Sequence, residues 1–293
     1  MTSSEMTTAD MTLWNTRKTQ RRLDLDMDAE PRVVQIAGSE PNQLAIAARH
    51  CVDRGAQIID INMGCPAKKV CRKSAGSALL QDTKLVQQIL ESVVAAVSAP
   101  VTLKIRTGWD AEHRNGVEIA HIAEQSGIQA LAVHGRTRAC RFKGVAEYET
   151  IARIKAAVKI PVIANGDITS PEKSLEVLHV SSADALMIGR GACGQPWIFR
   201  ALNHYYSTGK FVAPLELNIV RDTMLDHLEN LYRFYGEATG VRVARKHLKW
   251  YCTNLDQSDS FRSQVIRVDN AFEQMRLTKD YFQRQAEQDS LAA

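Results

Sequence analysis

Short β-rich runs alternate with helical stretches as far as Ile188, and most of the runs end in polar or glycine residues. The runs are Val33–Ala37, Ile58–Met63, Val101–Arg106, Ala130–His134, Pro161–Ala164 and Ala185–Ile188. Between the first two, Asn42–Arg54 carries Leu44, Ala47, Ala48, Cys51 and Val52 on one face and stops at Gly55. Thr83–Ser98 carries Val86, Ile89, Leu90, Val93 and Val97 at the same helical spacing. Near-continuous apolar strands separated by helices demand a parallel sheet covered by those helices. A doubly wound sheet would gather its glycines into one early Gly-x-Gly-x-x-Gly turn, and the sequence has none. Instead, Asn62-Met63-Gly64-Cys65, Arg106-Thr107-Gly108, His134-Gly135-Arg136-Thr137, Asn165-Gly166-Asp167 and Gly189-Arg190-Gly191 put polar groups past strand after strand. That distribution predicts a (β/α)8 TIM-type barrel, in which each strand contributes a little to a site at the C-terminal face.

From about Phe211 the pattern changes. "LELNIVRDTMLDHLENLYRFYG" has apolar residues at 217, 220, 224, 228 and 231, a helical stripe with no strand after it. "GVRVARKHLKWY" and "FRSQVIRVDNAFEQM" read as further helices. The expected organisation is therefore a barrel over residues 1–210 and a small all-helical domain over 211–293.

Composition excludes several classes. No apolar run is long enough to span a bilayer, and "MTSSEMTTADMTLWNTRK" lacks the blocks of a signal peptide, so a cytoplasmic protein is the default. The six cysteines are dispersed with no Cys-x-x-Cys pair, which argues for reduced thiols and against a zinc or disulfide framework. A net charge of +4 is too mild to prove nucleic-acid binding, so charge placement must decide.

The strand ends carry the chemistry. Asn165-Gly166-Asp167 and Gly189-Arg190 close the last two strands, where barrels of this type commonly hold a phosphate and glycines let backbone N–H groups approach it. The same glycines also suit tight turns. "VTLKIRTG" places Thr102, Lys104 and Arg106 on one strand face. An inward Lys104 needs either a salt-bridge partner or a cofactor oxygen or ring carbonyl, with Gln35 as a neutral hydrogen-bonding companion. His134 would hold a phosphate or substrate carbonyl, or be a satisfied core histidine. Cys65, between Gly64 and Pro66 at a strand end, is a candidate thiol acid or nucleophile; the bland alternative is a small buried hydrophobe. Three segments contain cations and no acid: "PAKKVCRK", "HGRTRACRFK" and "VRVARKHLKWY". One such run is usually a solvated face; two on the active face plus a helix bearing Trp250 and Tyr251 point to a polyanion, and folded RNA with an exposed base suits them.

"VQIAGSEP", "GAQIIDINMGCPAKKV", "AGSALLQD", "VTLKIRTGWD", "HGRTRACRFKG", "PVIANGDI", "ADALMIGRGACGQPWIF" and "ARKHLKWY" resemble the tRNA-dihydrouridine synthases, most closely the bacterial B type. The resemblance covers essentially everything from about residue 30 onward. It implies an FMN-holding barrel followed by a helical tRNA-binding domain, with NADPH reducing the flavin and a D-loop uridine of tRNA as substrate. It maps the proton-donating cysteine onto Cys65. Flavin contacts fall on Gln35, Lys104, His134, Asn165, Gly166, Asp167, Gly189 and Arg190. Lys68, Lys73, Arg138, Arg245, Lys246 and Lys249 are the candidate RNA contacts, and no metal is implied. A thiol of ordinary pKa, about 8.5, is protonated at neutral pH and suits the acid role.

One departure stands out. Members of that family begin with a strand and helix carrying an apolar-Pro-Met-Ala segment that lines the flavin, whereas "MTSSEMTTADM" resembles their second strand. The barrel is therefore expected to be N-terminally incomplete, with two unpaired edges and weakened FMN affinity and stability. Two other readings remain open: a catalytically impaired RNA-binding relative, and a flavin-dependent reductase of a small pyrimidine. A monomer is the favoured oligomeric state.

Overall fold

The computed structural model describes residues 1–25, 29–253 and 255–292, and side chains as far as Glu287. Its strands are β1 (Thr2–Ser3), β2 (Thr7–Thr8), β3 (Arg32–Ala37), β4 (Ile58–Met63), β5 (Val101–Arg106), β6 (Ala130–His134), β7 (Val162–Asn165) and β8 (Ala185–Met187). All pair in parallel in the order β1-β3-β4-β5-β6-β7-β8, and β2 pairs with β3 on from β1. The sheet curls as part of a TIM-type barrel with helices outside it, and no pairing of β8 with β1 is formed among the described residues.

The helices of this part are α1 (Arg17–Arg22), α2 (Pro41–Asp53), the single turn α3 (Lys68–Cys71), α4 (Thr83–Ala96), α5 (Gly116–Gln125), α6 (Glu149–Ala157) and α7 (Pro171–Ser181). The strands show why the chain folds this way. Val34 and Ile36, Ile59, Ile61 and Met63, and Leu103 and Ile105 are all buried, and they share a core with Leu44, Val86, Ile89, Leu90 and Val93 from α2 and α4. Each such side chain contributes roughly 1.5–3 kcal/mol by leaving water. The alternate residues, Gln35, Asp60, Asn62, Thr102 and Lys104, therefore occupy the opposite face of the sheet. α4 starts where Asp82 accepts a hydrogen bond from the Leu85 backbone N–H at 3.0 Å, satisfying one orphan donor of the first turn.

The chain divides into two compact units, Met1–Ile168 with Glu172–Gly189, and Thr169–Pro171 with Arg190–Ala293. The change in sequence pattern placed the boundary at 210/211; in the structure α8 (Ile198–Thr208) groups with the helices that follow, and the neighbouring Trp197 packs on their core. Those helices are α9 (Leu217–Tyr235), α10 (Glu237–Tyr251), α11 (Ser258–Val265) and α12 (Ala271–Ala292). Val220, Met224 and Leu228 of α9 pack with Ala244 and Leu248 of α10, Phe261 of α11 and Phe282 of α12. The stretch read as one helix, "FRSQVIRVDNAFEQM", is split, because α11 ends at Val265 and α12 starts at Ala271. At Gly240 a Cβ would lie 2.9 Å from both the Leu231 carbonyl oxygen and Tyr232 Cα, so only glycine lets α9 and α10 approach this closely.

No helix among the described residues is long and apolar enough to cross a membrane, and none of their His, Cys, Asp and Glu side chains form a group of three placed to hold a metal.

Candidate active site

Parallel register sets the polar residues of the inner face in rows. Gln35 lies opposite Asp60 and Asp60 opposite Thr102; Asn62 lies opposite Lys104; Arg106 lies opposite His134 and His134 opposite Asn165. The register thus collects onto one surface residues that are far apart in the sequence.

The first rows form a directed hydrogen-bond chain. Asp60 is 4 % exposed and accepts from Thr102 Oγ1 at 2.6 Å and from Gln35 Nε2 at 2.6 Å. Gln35 must then turn its oxygen the other way, where it accepts from Asn62 Nδ2 at 2.7 Å. Asn62 in turn presents its Oδ1 to the backbone N–H groups of Gly64 at 3.2 Å and Cys65 at 3.0 Å. A buried carboxylate is thereby connected, through two side-chain amides, to the turn that carries Cys65. Burial holds Asp60 above the usual carboxylate range, against its hydrogen bonds from Thr102 and Gln35 and the attraction of Lys104.

Cys65 is partly exposed, and its backbone is fixed on both sides. Its carbonyl accepts from Ser77 Oγ at 2.8 Å and from the Ser77 N–H at 3.1 Å. Gly76, at φ +62°, closes the turn: a Cβ there would sit 2.8 Å from the Cys65 carbonyl oxygen. Arg106 ties the same turn down, donating from Nε to the Gly64 carbonyl at 2.7 Å while Nη1 reaches the carbonyls of Thr137 at 3.0 Å and Arg141 at 2.7 Å.

Lys104 has its ammonium pulled down to about 8, first by burial, with Asp60 attracting it against that and Arg106 repelling it. It makes no hydrogen bond or ion pair among the described residues. His134 is pushed down to about 3 by burial and by the cations Lys104, Arg106 and Arg136, with Asp167 opposing. It is therefore neutral at physiological pH. Its Nε2 faces Arg136 Nη1 at 3.3 Å, and since a guanidinium only donates, Nε2 accepts and Nδ1 carries the proton.

Asp167 engages Arg136 with both oxygens, at 2.8 and 2.6 Å, and also accepts from the Ala146 N–H at 2.8 Å. Arg136 itself is 4 % exposed and also holds the carbonyls of Lys143 at 3.1 Å and Gly144 at 2.6 Å. The Asp167 carboxylate thus anchors the loop after β6. Asn165 donates to the Met187 carbonyl at 2.7 Å, joining β7 to β8, and Gly166 accepts from Tyr148 Oη at 2.9 Å. A Cβ at Gly189 would meet nothing within 4 Å.

The remaining expected residues divide by unit. Lys68 and Lys73 are exposed on α3 and just after it, and Arg138 stacks on Trp109 with its Cζ 4.2 Å from the ring centroid. Arg190, Arg245, Lys246 and Lys249 belong to the second unit. There, Arg245 donates to the Val268 carbonyl at 2.9 Å, Lys249 is exposed, and Lys246 Nζ lies 5.8 Å from the Trp250 ring. Sequence reasoning passed over Asp60, and it named Asn62, Arg106 and Arg136 only as polar residues past strand ends, without a role. Asp60 had a readable signal, a charge inside the apolar run Ile58–Ile61 that a parallel strand would not otherwise carry. The roles of the two arginines had none, because they meet backbone carbonyls on other segments and, for Arg136, the distant Asp167 carboxylate.

With this geometry in place, comparison with known proteins is direct. The family model described as "Dihydrouridine synthase (Dus)" matches residues 1–287. The chain is 58% identical over 279 residues to a "tRNA-dihydrouridine synthase B" of Xanthomonas axonopodis pv. citri, covering 95% of this chain and 84% of that one. The Pseudomonas aeruginosa protein of the same name is 57% identical over 282 residues, covering 96% and 85%. That of Pectobacterium carotovorum is 54% identical over 286 residues, covering 98% and 89%. A match of this extent, on a parallel sheet that brings a cysteine and a set of amide and cationic donors to one face, settles the relationship: the chain belongs to the dihydrouridine synthase family.

Proposed function

We propose that the chain reduces the 5,6 double bond of a D-loop uridine in tRNA, with FMN as bound flavin and NADPH as reductant. The observation that carries this reading is Cys65, whose backbone is held by Asn62, Ser77 and Arg106 while the residue stays partly exposed. FMN suits the donors present: an ammonium on Lys104 with no hydrogen-bond partner among the described residues, a neutral His134 with Nδ1–H, and backbone with open space at Gly189. When bound, FMN supplies the hydride that C6 of the uracil ring receives.

The protein's own groups do the rest. Lys104 and Gln35 hold the polar edge of the flavin ring, with Gln35 oriented by its bonds to Asp60 and Asn62. His134 and the backbone at Asn165, Gly166 and Gly189 take the phosphate end. Asp167 keeps Arg136, and through it the loop after β6, in place. The Cys65 thiol gives its proton to C5, and an acid at the neighbouring carbon is what addition across a double bond requires. Lys68, Lys73 and Arg138 serve the RNA strand near the site, and Lys246 and Lys249 serve it on the helical unit, where Trp250 is 36 % exposed.

The test is purified protein with NADPH and tRNA from a strain lacking dihydrouridine. The expected result is dihydrouridine mapped to one D-loop position. Reduction of free uracil with no reaction on tRNA would replace this reading by a small-pyrimidine reductase. Binding of tRNA with no reduction would leave an impaired RNA-binding relative.

The depressed Lys104 yields a pH prediction. The ammonium is charged below about 8 and neutral above it, so flavin affinity should fall as pH rises through that value. Titration of the apoprotein with FMN by fluorescence quenching between pH 6.5 and 9.5 reads it directly. Lys104→Met should bind FMN more weakly at pH 7 and show no such midpoint; a midpoint that persists would assign the titration to another group.

A further inference from the structure

The turn after β7 is braced by the segment that leads into α6. Glu147 N–H donates to the Gly135 carbonyl at 2.7 Å, Ala146 N–H to Asp167 Oδ2 at 2.8 Å, and Tyr148 Oη to the Gly166 carbonyl at 2.9 Å. Three consecutive residues therefore hold the ends of both β6 and β7. The Tyr148 backbone is itself fixed, because it caps α6 and its carbonyl accepts from the Ala152 N–H at 2.9 Å. Its side chain is 6 % exposed and packs in the core of the sheet unit. The carbonyl that its hydroxyl holds is thus drawn inward.

That bond opposes a change the local backbone would otherwise favour. Asp167 sits at φ +50°, a left-handed state that costs a side-chain-bearing residue energy. Flipping the peptide plane between Gly166 and Asp167 by about 180° would return Asp167 to the ordinary extended region. Gly166, at φ +128°, would tolerate the matching change in its own ψ, because it has no side chain. The preceding plane has its own anchor, since the Asn165 carbonyl accepts from the Gly135 N–H at 2.9 Å. For the Gly166 carbonyl the anchor is the Tyr148 hydroxyl.

We propose that Tyr148 is a positioning residue for the phosphate end of the flavin: its hydroxyl keeps the Gly166 carbonyl turned into the core, so that this oxygen does not face the anion. The inference rests on the FMN reading above and adds to it a residue that touches no cofactor atom. The sign follows from the partial charges of the backbone, since an N–H attracts a phosphate and a carbonyl oxygen repels it. Burial pushes the Tyr148 hydroxyl up to about 12, with Asp167 and Glu176 acting the same way and Arg136 against them. It therefore stays a donor throughout the neutral range.

The test compares FMN with riboflavin, which carries the same ring system and no phosphate. The Kd of each is measured by fluorescence quenching on the full chain freed of flavin, for wild type and Tyr148→Phe. The variant loses one oxygen and keeps the packing of the ring. Its Kd for FMN is expected to rise roughly threefold to tenfold, the effect of one buried hydrogen bond, while its Kd for riboflavin stays at the wild-type value. An unchanged Kd for FMN would overturn the positioning role. So would an equal rise for riboflavin, because a sheet that is merely loosened weakens both ligands alike. Wild-type protein that binds riboflavin as tightly as FMN, or binds neither, would instead remove the reading on which the proposal rests.

Discussion

Cys65→Ala is expected to lower dihydrouridine formation by about two to four orders of magnitude while the flavin content of the purified protein stays near wild type. The size follows from what is removed: one general acid positioned at the reacting carbon, with the surrounding scaffold retained. Everything that shapes the turn acts on backbone atoms of residue 65, namely Asn62 Oδ1 on its N–H and Ser77 on its carbonyl. Alanine keeps those bonds, so the loss should appear in the chemical step and leave NADPH oxidation by the bound flavin unaffected. Single-turnover mixing of reduced enzyme with tRNA separates the two. Cys65→Ser should lie between, since a hydroxyl keeps a proton at nearly the same place but releases it far less readily. A Cys65→Ala variant that turns over tRNA as fast as wild type would remove the thiol from the mechanism and assign the proton to water.

The sequence alone made the strands legible almost to the residue, and the reason is physical. In a parallel sheet under helices the apolar runs are near-continuous and bounded by glycine or polar residues, so Ile58–Met63, Val101–Arg106 and Ala130–His134 announce both ends. Which residues lie at those ends was also readable, because strand ends in such a fold face one mouth. What pairs with what across the strands was not. Gln35 was read as a hydrogen-bonding companion of Lys104 towards a cofactor, and its own partners, Asp60 and Asn62, follow only from the fold that brings β3 beside β4. Asp167 was read as part of a cofactor-binding turn, and nothing in its type announced that its carboxylate also meets Arg136, thirty-one residues earlier in the chain. Arg106 was read only as a polar residue at a strand end, with no role of its own. A guanidinium that holds three carbonyls leaves no trace in residue type, since every residue has a carbonyl.

Substitution of Asp60 is expected to have the largest effect on stability and to reach the flavin as well. Asp60→Leu should lower the free energy of unfolding by about 3–5 kcal/mol, because a buried charge that faces Lys104 disappears and the donors Thr102 and Gln35 lose their acceptor. Asp60→Asn separates the contributions. Its amide oxygen can still accept from Gln35 Nε2, and the Thr102 hydroxyl can rotate to accept from the new amide nitrogen. Only the charge is lost, at about 1–2 kcal/mol. Urea denaturation of the apoprotein measures both. The charge has a second consequence that packing alone would not produce. Asp60 is what opposes the effect of burial on Lys104, so without it the ammonium should lose its proton further below pH 8. In Asp60→Asn the pH midpoint of FMN affinity should therefore move down, while Thr102→Val, which removes a hydrogen bond to Asp60 and no charge, should shift it far less. A midpoint unmoved in Asp60→Asn would show that the carboxylate stabilises the sheet without reaching Lys104. A downward shift, with affinity at pH 6 retained, would make Asp60 the group that keeps Lys104 charged up to about pH 8.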